Sequence, residues 1–126
     1  MGAPTLAPTL APAPTVSDVR PWGTWEVLGS GPGWKTKRLT VAPHARLSLQ
    51  SHRFRSEHWV VVEGTALCTI GSETLLVAAG QRAYVPAGTP HRLANLEEEP
   101  LVVVEVQIGD YTGEDDIVRL DDDYGR

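Results

Sequence analysis

HARLSLQSHRFRSEHWVVVEG, residues 44–64, carries the pattern on which the fold turns. From Arg46 to His52 the side chains alternate: Leu47 and Leu49 leave one face of an extended chain, while Ser48, Gln50 and His52 leave the other. A sheet whose second face is merely solvated has no need of that arrangement. Glu57 can return from the next strand after a short turn, and residues 59–62, Trp-Val-Val-Val, form an apolar run expected to be a strand covered on both faces. Gln50, His52 and Glu57, joined by His91 from a second polar cluster, are read as one metal site of two imidazoles, a carboxylate and an amide oxygen. The alternative is a set of ordinary polar groups on a half-buried sheet.

Outward from this stretch the chain continues as strand after strand. Residues 25–28 run into a turn expected at 29–33, and residues 34–41 alternate so that Lys37 shares a face with Leu39 and Val41. Further strands are expected at 66–70, 74–77, 82–86, 91–95 and 101–108, with Gly64, Gly71 and Gly80 as punctuation. Nine or ten short strands with no convincing amphipathic helix predict an all-β sandwich or barrel of jelly-roll type. Residues 113–126 are acidic and turn-rich; they read as a solvated charge run, with 115–119 as a candidate edge strand.

A chain of 126 residues has room for one core. Residues 1–18, repeating Ala-Pro-Thr-Leu, are read as a flexible arm, and 19–126 as the domain. The formal net charge of -5 argues against nucleic acid and anionic membranes as partners, since both select a dominant positive field. One cysteine, Cys68, excludes an intrachain disulfide framework and reads as a buried thiol in a reducing compartment. No apolar run approaches the ~20 residues of a membrane span, and residues 1–18 lack a secretory pattern, so the expected setting is cytoplasmic.

Two spacings then resemble the cupin superfamily. Gly80, Pro86-Ala87-Gly88, His91 and Asn95 fit the second cupin motif at every fixed position. Gln50, His52, Glu57 and Gly64 fit the first, with His44 in place of its leading Gly and Gln50 in place of its first His. Within the cupins, Arg20-Pro21-Trp22-Gly23, residues 55–62, His91-Arg92-Leu93 and residues 113–119, with the closing Tyr124-Gly125-Arg126, look like the type II mannose-6-phosphate isomerase domain. That domain commonly forms the C-terminal part of a bifunctional protein with mannose-1-phosphate guanylyltransferase. Arg53 and Phe54 stand where the family usually places a His-rich run, and Phe54, on the face of His52 if extension persists, is expected to narrow the pocket.

The resemblance implies a single-domain double-stranded β-helix and a metal-dependent isomerase interconverting mannose 6-phosphate and fructose 6-phosphate through an enediolate. A non-catalytic cupin binding a sugar phosphate or nucleotide sugar is the alternative. Related type I isomerases surround zinc with a Gln, two His and a Glu, so Gln50 is expected to be a ligand. The donor set suits one divalent ion, zinc first, with manganese, iron or nickel as alternatives. Lys37, His58 and Glu105 are candidate proton carriers, and Arg55 and Arg92 candidate phosphate-binding cations, with Arg119 and Arg126 also at matching family positions. A homodimer is expected, with Trp22, Trp25 and Trp34 either at the interface or, equally, in the core.

Overall fold

The computed structural model describes residues 17–126, so the expected arm falls almost wholly outside the described residues. Eleven strands follow in order: β1 (Ser17–Arg20), β2 (Gly23–Gly31), β3 (Trp34–Val41), β4 (Leu49–Ser51), β5 (Arg55–Glu63), β6 (Thr65–Ile70), β7 (Glu73–Ala78), β8 (Arg82–Val85), β9 (His91–Ala94), β10 (Leu101–Gly109) and β11 (Val118–Asp121). There is no helix among the described residues, and so none long and apolar enough to cross a membrane. Two antiparallel sheets form, one ordered β1-β2-β3-β10-β5-β8 and the other β11-β4-β9-β6-β7. Their inner faces share one apolar cluster that includes Trp22, Trp59, Cys68, Leu93 and Leu101. The all-β jelly-roll architecture expected from the alternation is the one observed.

Two local expectations are corrected and one open alternative is resolved. Residues 59–62 are not covered on both faces: Trp59 and Val61 are 1% exposed, whereas Val60 and Val62 are 38% and 54% exposed on the outside of the six-stranded sheet. β-branched residues suit a pleated surface whether or not its outer side is covered, so composition did not separate the two cases. The glycines at 29 and 31 lie within β2 because they make room for an indole: a Cβ on Gly31 would stand 2.6 Å from Trp34 Nε1. Of the two readings open for the tryptophans, Trp22 and Trp25 take the core one.

His44 is the one non-glycine residue with positive φ among the described residues, at 60°. It occupies the position where the first cupin motif has Gly, so the departure in sequence is a left-handed backbone carried by a side chain. His adopts that region more readily than most residues, and a β-branched residue there is a steric outlier. His44→Val is expected to lower stability by ~1–2 kcal/mol, while His44→Gly stays within ~0.5 kcal/mol because relief of strain is offset by unfolded-chain entropy. Urea unfolding of the two variants checks the contrast, and equal effects would contradict it.

Candidate metal centre

β4 and the bend after it deliver Gln50 and His52, β5 delivers Glu57, and β9 delivers His91. Gln50 pairs across the sheet with His91, and Gly88 N–H donates to His52 C=O at 2.7 Å, which ties the second motif's turn to the first motif. His52, Glu57 and His91 are 4%, 1% and 2% exposed, and one ligand atom from each lies within 4.8 Å of the others. Gln50, half-buried, lines the same cavity of about 90 Å³.

The tautomers of both imidazoles follow from their partners. His52 Nδ1 lies 2.6 Å from Asp116 C=O, and His91 Nδ1 lies 2.9 Å from Thr89 C=O. A carbonyl oxygen only accepts, so each Nδ1 carries the proton and each Nε2 presents a lone pair. Those lone pairs face Glu57: His52 Nε2 is 3.2 Å from Oε2, and His91 Nε2 is 3.6 Å from Oε1. Burial first, and then the charge of Arg55, pushes His52 down to about 4; burial also lowers His91. Neither ring is therefore protonated near neutral pH. Buried His91 Nε2 has no hydrogen-bond partner among the described residues.

Lone pairs from three groups thus converge. The Arg55 guanidinium meets Glu57 Oε2 at 2.9 Å and His52 Nε2 at 3.2 Å from one side, while His91 Nε2 is left open. A site with that much convergent donor capacity suits a cation. Two nitrogens and a carboxylate oxygen, with the Gln50 amide beside them, suit a borderline-to-hard divalent ion, so the residues fit the group that the cupin motifs imply. The orienting carbonyls of Asp116 and Thr89 are of the kind that fixes metal-ligating histidines in register. Glu57 is itself steadied, since Trp59 Nε1 donates to Oε1 at 3.0 Å and Arg55 Nε to Oε2 at 2.9 Å.

The other expected site residues divide. Lys37 reaches the cavity, where its ammonium donates to Glu114 at 2.6 Å and lies 4.1 Å from the centre of the Trp25 ring. Glu105 also lines it, opposite Lys37 and Trp59 on the flanking strands, and accepts from Gln107 Nε2 at 2.5 Å. Arg55 lines it too, its guanidinium held against Glu57 and 3.2 Å from His52 Nε2. His58 is not brought to the site: alternation along β5 sends it to the opposite face from Glu57, where its ring lies 4.8 Å from that of Tyr84. Arg92 is likewise corrected, because it sits between the inward His91 and Leu93 and binds Leu47 C=O and Asp121 instead. Phe54 does not narrow the pocket; the chain bends at 53–54, and Phe54 turns outward, edge-on to Tyr111.

The largest departure is the C-terminal segment, which is no free solvated run. The Asp116 carboxylate accepts from the N–H groups of Arg53 and Phe54, both at 2.9 Å, and so holds the bend that aims His52. β11 pairs with β4, placing Arg119 opposite Gln50 and bringing Arg119 and Arg126 to the cavity. Asp123 pairs with Arg46, and Asp121 with Arg92. The charges that made this segment look solvated are the groups that fasten it.

The comparisons with known proteins agree with this architecture. The xanthan biosynthesis protein XanB of Xanthomonas campestris is 52% identical over 107 residues, which are 85% of this chain and 23% of that protein. The mannose-1-phosphate guanylyltransferase ManC of Salmonella typhimurium is 46% identical, covering 85% of this chain and 22% of that protein. The chain therefore spans under a quarter of the length of these relatives. Among solved structures, Bacillus subtilis oxalate decarboxylase, studied for its Mn(II) centres, superposes with a TM-score of 0.68 at 25% identity, over 77% of this chain and 28% of that one. A Klebsiella pneumoniae protein with a double-stranded β-helix domain gives 0.65 at 20% identity, over 74% of this chain and 79% of that one. The latter shows the fold alone.

These names correct the expected activity. XanB bears a biosynthesis name and ManC the name of a nucleotidyl-transfer enzyme, so the aldose–ketose isomerisation inferred from the resemblance is not what the relatives are named for. The proton-carrier roles expected of Lys37, His58 and Glu105 belonged to that reaction. On fold, on motif spacing and on a family model matching residues 14–122, the chain belongs to the cupin family described as "Mannose-6-phosphate isomerase C-terminal".

Proposed function

We propose that this domain is a metal-centred binding cupin: Gln50, His52, Glu57 and His91 hold one divalent ion, zinc first, and the cavity beside it receives a phosphorylated sugar. The observation that carries the reading is the convergence of the two Nε2 lone pairs on Glu57, with buried His91 Nε2 unpartnered among the described residues. When bound, such an ion supplies a Lewis acid able to polarise an oxygen of the ligand. The chain's own residues do the rest. Arg55 and Trp59 hold Glu57 in place, and the carbonyls of Asp116 and Thr89 hold the imidazoles.

The choice of ligand rests on charge and on kinship. Arg20, Lys37, Arg55, Arg119 and Arg126 line the cavity with Glu57, Glu105 and Glu114; Arg20 and Arg126 are also paired with Asp18 and Asp122, so the excess positive charge is that of Arg119 and of the ion itself. A cationic excess around a metal favours an anion, and guanidinium matches phosphate in shape and charge. The guanylyltransferase relative, named for mannose 1-phosphate, supports that phosphosugar as the first to test. Isothermal titration of the zinc-loaded chain with mannose 1-phosphate, mannose 6-phosphate and GDP-mannose is expected to show binding that disappears after chelation. Absence of binding to all three by fully metallated protein would overturn the reading. The single buried thiol of Cys68, pushed up to about 12 by burial, is unreactive and fits the proposed cytoplasmic setting.

A further inference from the structure

The geometry points to Arg119 as the phosphate-gripping residue of this pocket, an inference that rests on the binding function proposed above. Four of the five cationic side chains lining the cavity already have a carboxylate partner: Lys37 with Glu114 at 2.6 Å, Arg55 with Glu57 at 2.9 Å, Arg126 with Asp122 at 3.0 Å and Arg20 with Asp18 at 3.3 Å. Arg119 has neither a side-chain hydrogen bond nor an ion pair among the described residues. Its guanidinium therefore keeps all five donors for something else.

Its position gives that freedom a direction. Arg119 lies opposite Gln50, and Gln50 lies opposite His91, so a single cross-strand row runs from the guanidinium to two members of the metal set. Directly opposed residues in neighbouring strands have Cβ atoms ~5 Å apart, which puts Arg119 within reach of a group bound beside the ion. Ile117 and Arg119 both line the cavity, as alternation requires of two inward residues. The row is rigidly carried, because the segment is pinned by Asp116 before β11 and by Asp121 and Asp123 after Arg119. Asp122 is held down at about 2, chiefly by its hydrogen bonds from Arg126, which keeps that cation engaged and leaves Arg119 to the ligand. A phosphomonoester or the diphosphate of a nucleotide sugar supplies the bidentate acceptor that a preorganised guanidinium selects.

The test is titration of zinc-loaded wild-type chain, Arg119→Gln and Arg119→Lys with mannose 1-phosphate, GDP-mannose and inorganic phosphate, alongside zinc stoichiometry and thermal midpoint. Arg119→Gln is expected to weaken phosphorylated ligands by ~10–100-fold, with Arg119→Lys recovering part of the loss and zinc content unchanged. The ligand that loses most identifies whether a monoester or a diphosphate is gripped. Wild-type affinity in Arg119→Gln overturns this inference while leaving the binding function standing. Failure of wild-type protein to bind any phosphorylated ligand at one zinc per chain overturns that function, and this inference with it.

Discussion

Glu57→Ala is expected to destabilise the metal-free chain by ~3–5 kcal/mol, because it strands a buried guanidinium. Arg55 is 6% exposed and its Nε donates to the carboxylate that would be lost; Trp59 Nε1, in the core, loses its acceptor as well. For a domain of this size that loss lowers the thermal midpoint by ~10–20 °C. Glu57→Gln separates the two roles. Its amide oxygen can still accept one of these bonds, so it is expected to fold, yet it lacks the anionic oxygen that the ion needs. Urea unfolding in chelator, followed by metal analysis of the Gln variant, checks both halves. A loss below ~1 kcal/mol in Glu57→Ala would show that Arg55 finds another partner.

The second large effect is a pH dependence centred on Glu105. Burial first, and the nearby charge of Glu57 next, push this carboxyl from 4.5 up to about 7. In the unfolded chain it ionises in the ordinary carboxylate range, whereas in the folded chain it resists doing so. Stability from this group is therefore fully present below about 4.5 and is lost as pH rises through about 7, by roughly 3 kcal/mol in all. Glu105→Gln abolishes the titration and keeps an acceptor for Gln107. The metal-free variant is thus expected to gain on wild-type by ~3 kcal/mol between pH 5 and pH 8, read by urea unfolding at each pH. Parallel stability curves for the two proteins would mean that Glu105 is already charged in the folded state. Metal loading should shrink the difference, since a nearby cation favours the carboxylate.

Of these two residues, Glu57 was legible as a site residue from its spacing to His52 and Gly64, whereas no face was assigned to Glu105 within the strand expected at 101–108. The alternation around Gln50 and His52 and the spacings to Gly64 and Asn95 are properties of short stretches, so a strand's period of two and the turn glycines were enough to place them. Lys37 was legible for the same reason, through its shared face with Leu39 and Val41. What failed was the extrapolation of that period across a bend. Phe54 would face inward only if extension continued past His52, and the Asp116 carboxylate, more than sixty residues away, breaks it. His58 directly follows Glu57 and Arg92 directly follows His91, and on a strand the immediate neighbour of an inward residue faces away.

The C-terminal segment was the least legible part for a different reason. Its acidic residues carry no local sign of their partners, because Lys37, Arg46 and Arg92 lie on other strands and the pairing of β11 with β4 spans most of the domain. Composition therefore suggested solvation where the structure has attachment. Arg119 had a matching family position, but only the register with Gln50 connects it to the metal set.

The measurement that bears most directly on the central claim is the metal content of the chain purified without a metal-affinity column, then reconstituted with zinc and desalted. One tightly held ion per chain is predicted, and His52→Ala and His91→Ala should each lose it while remaining folded by circular dichroism. A wild-type chain that retains no ion, or variants that keep a full equivalent, would contradict the assignment of these lone pairs to a metal.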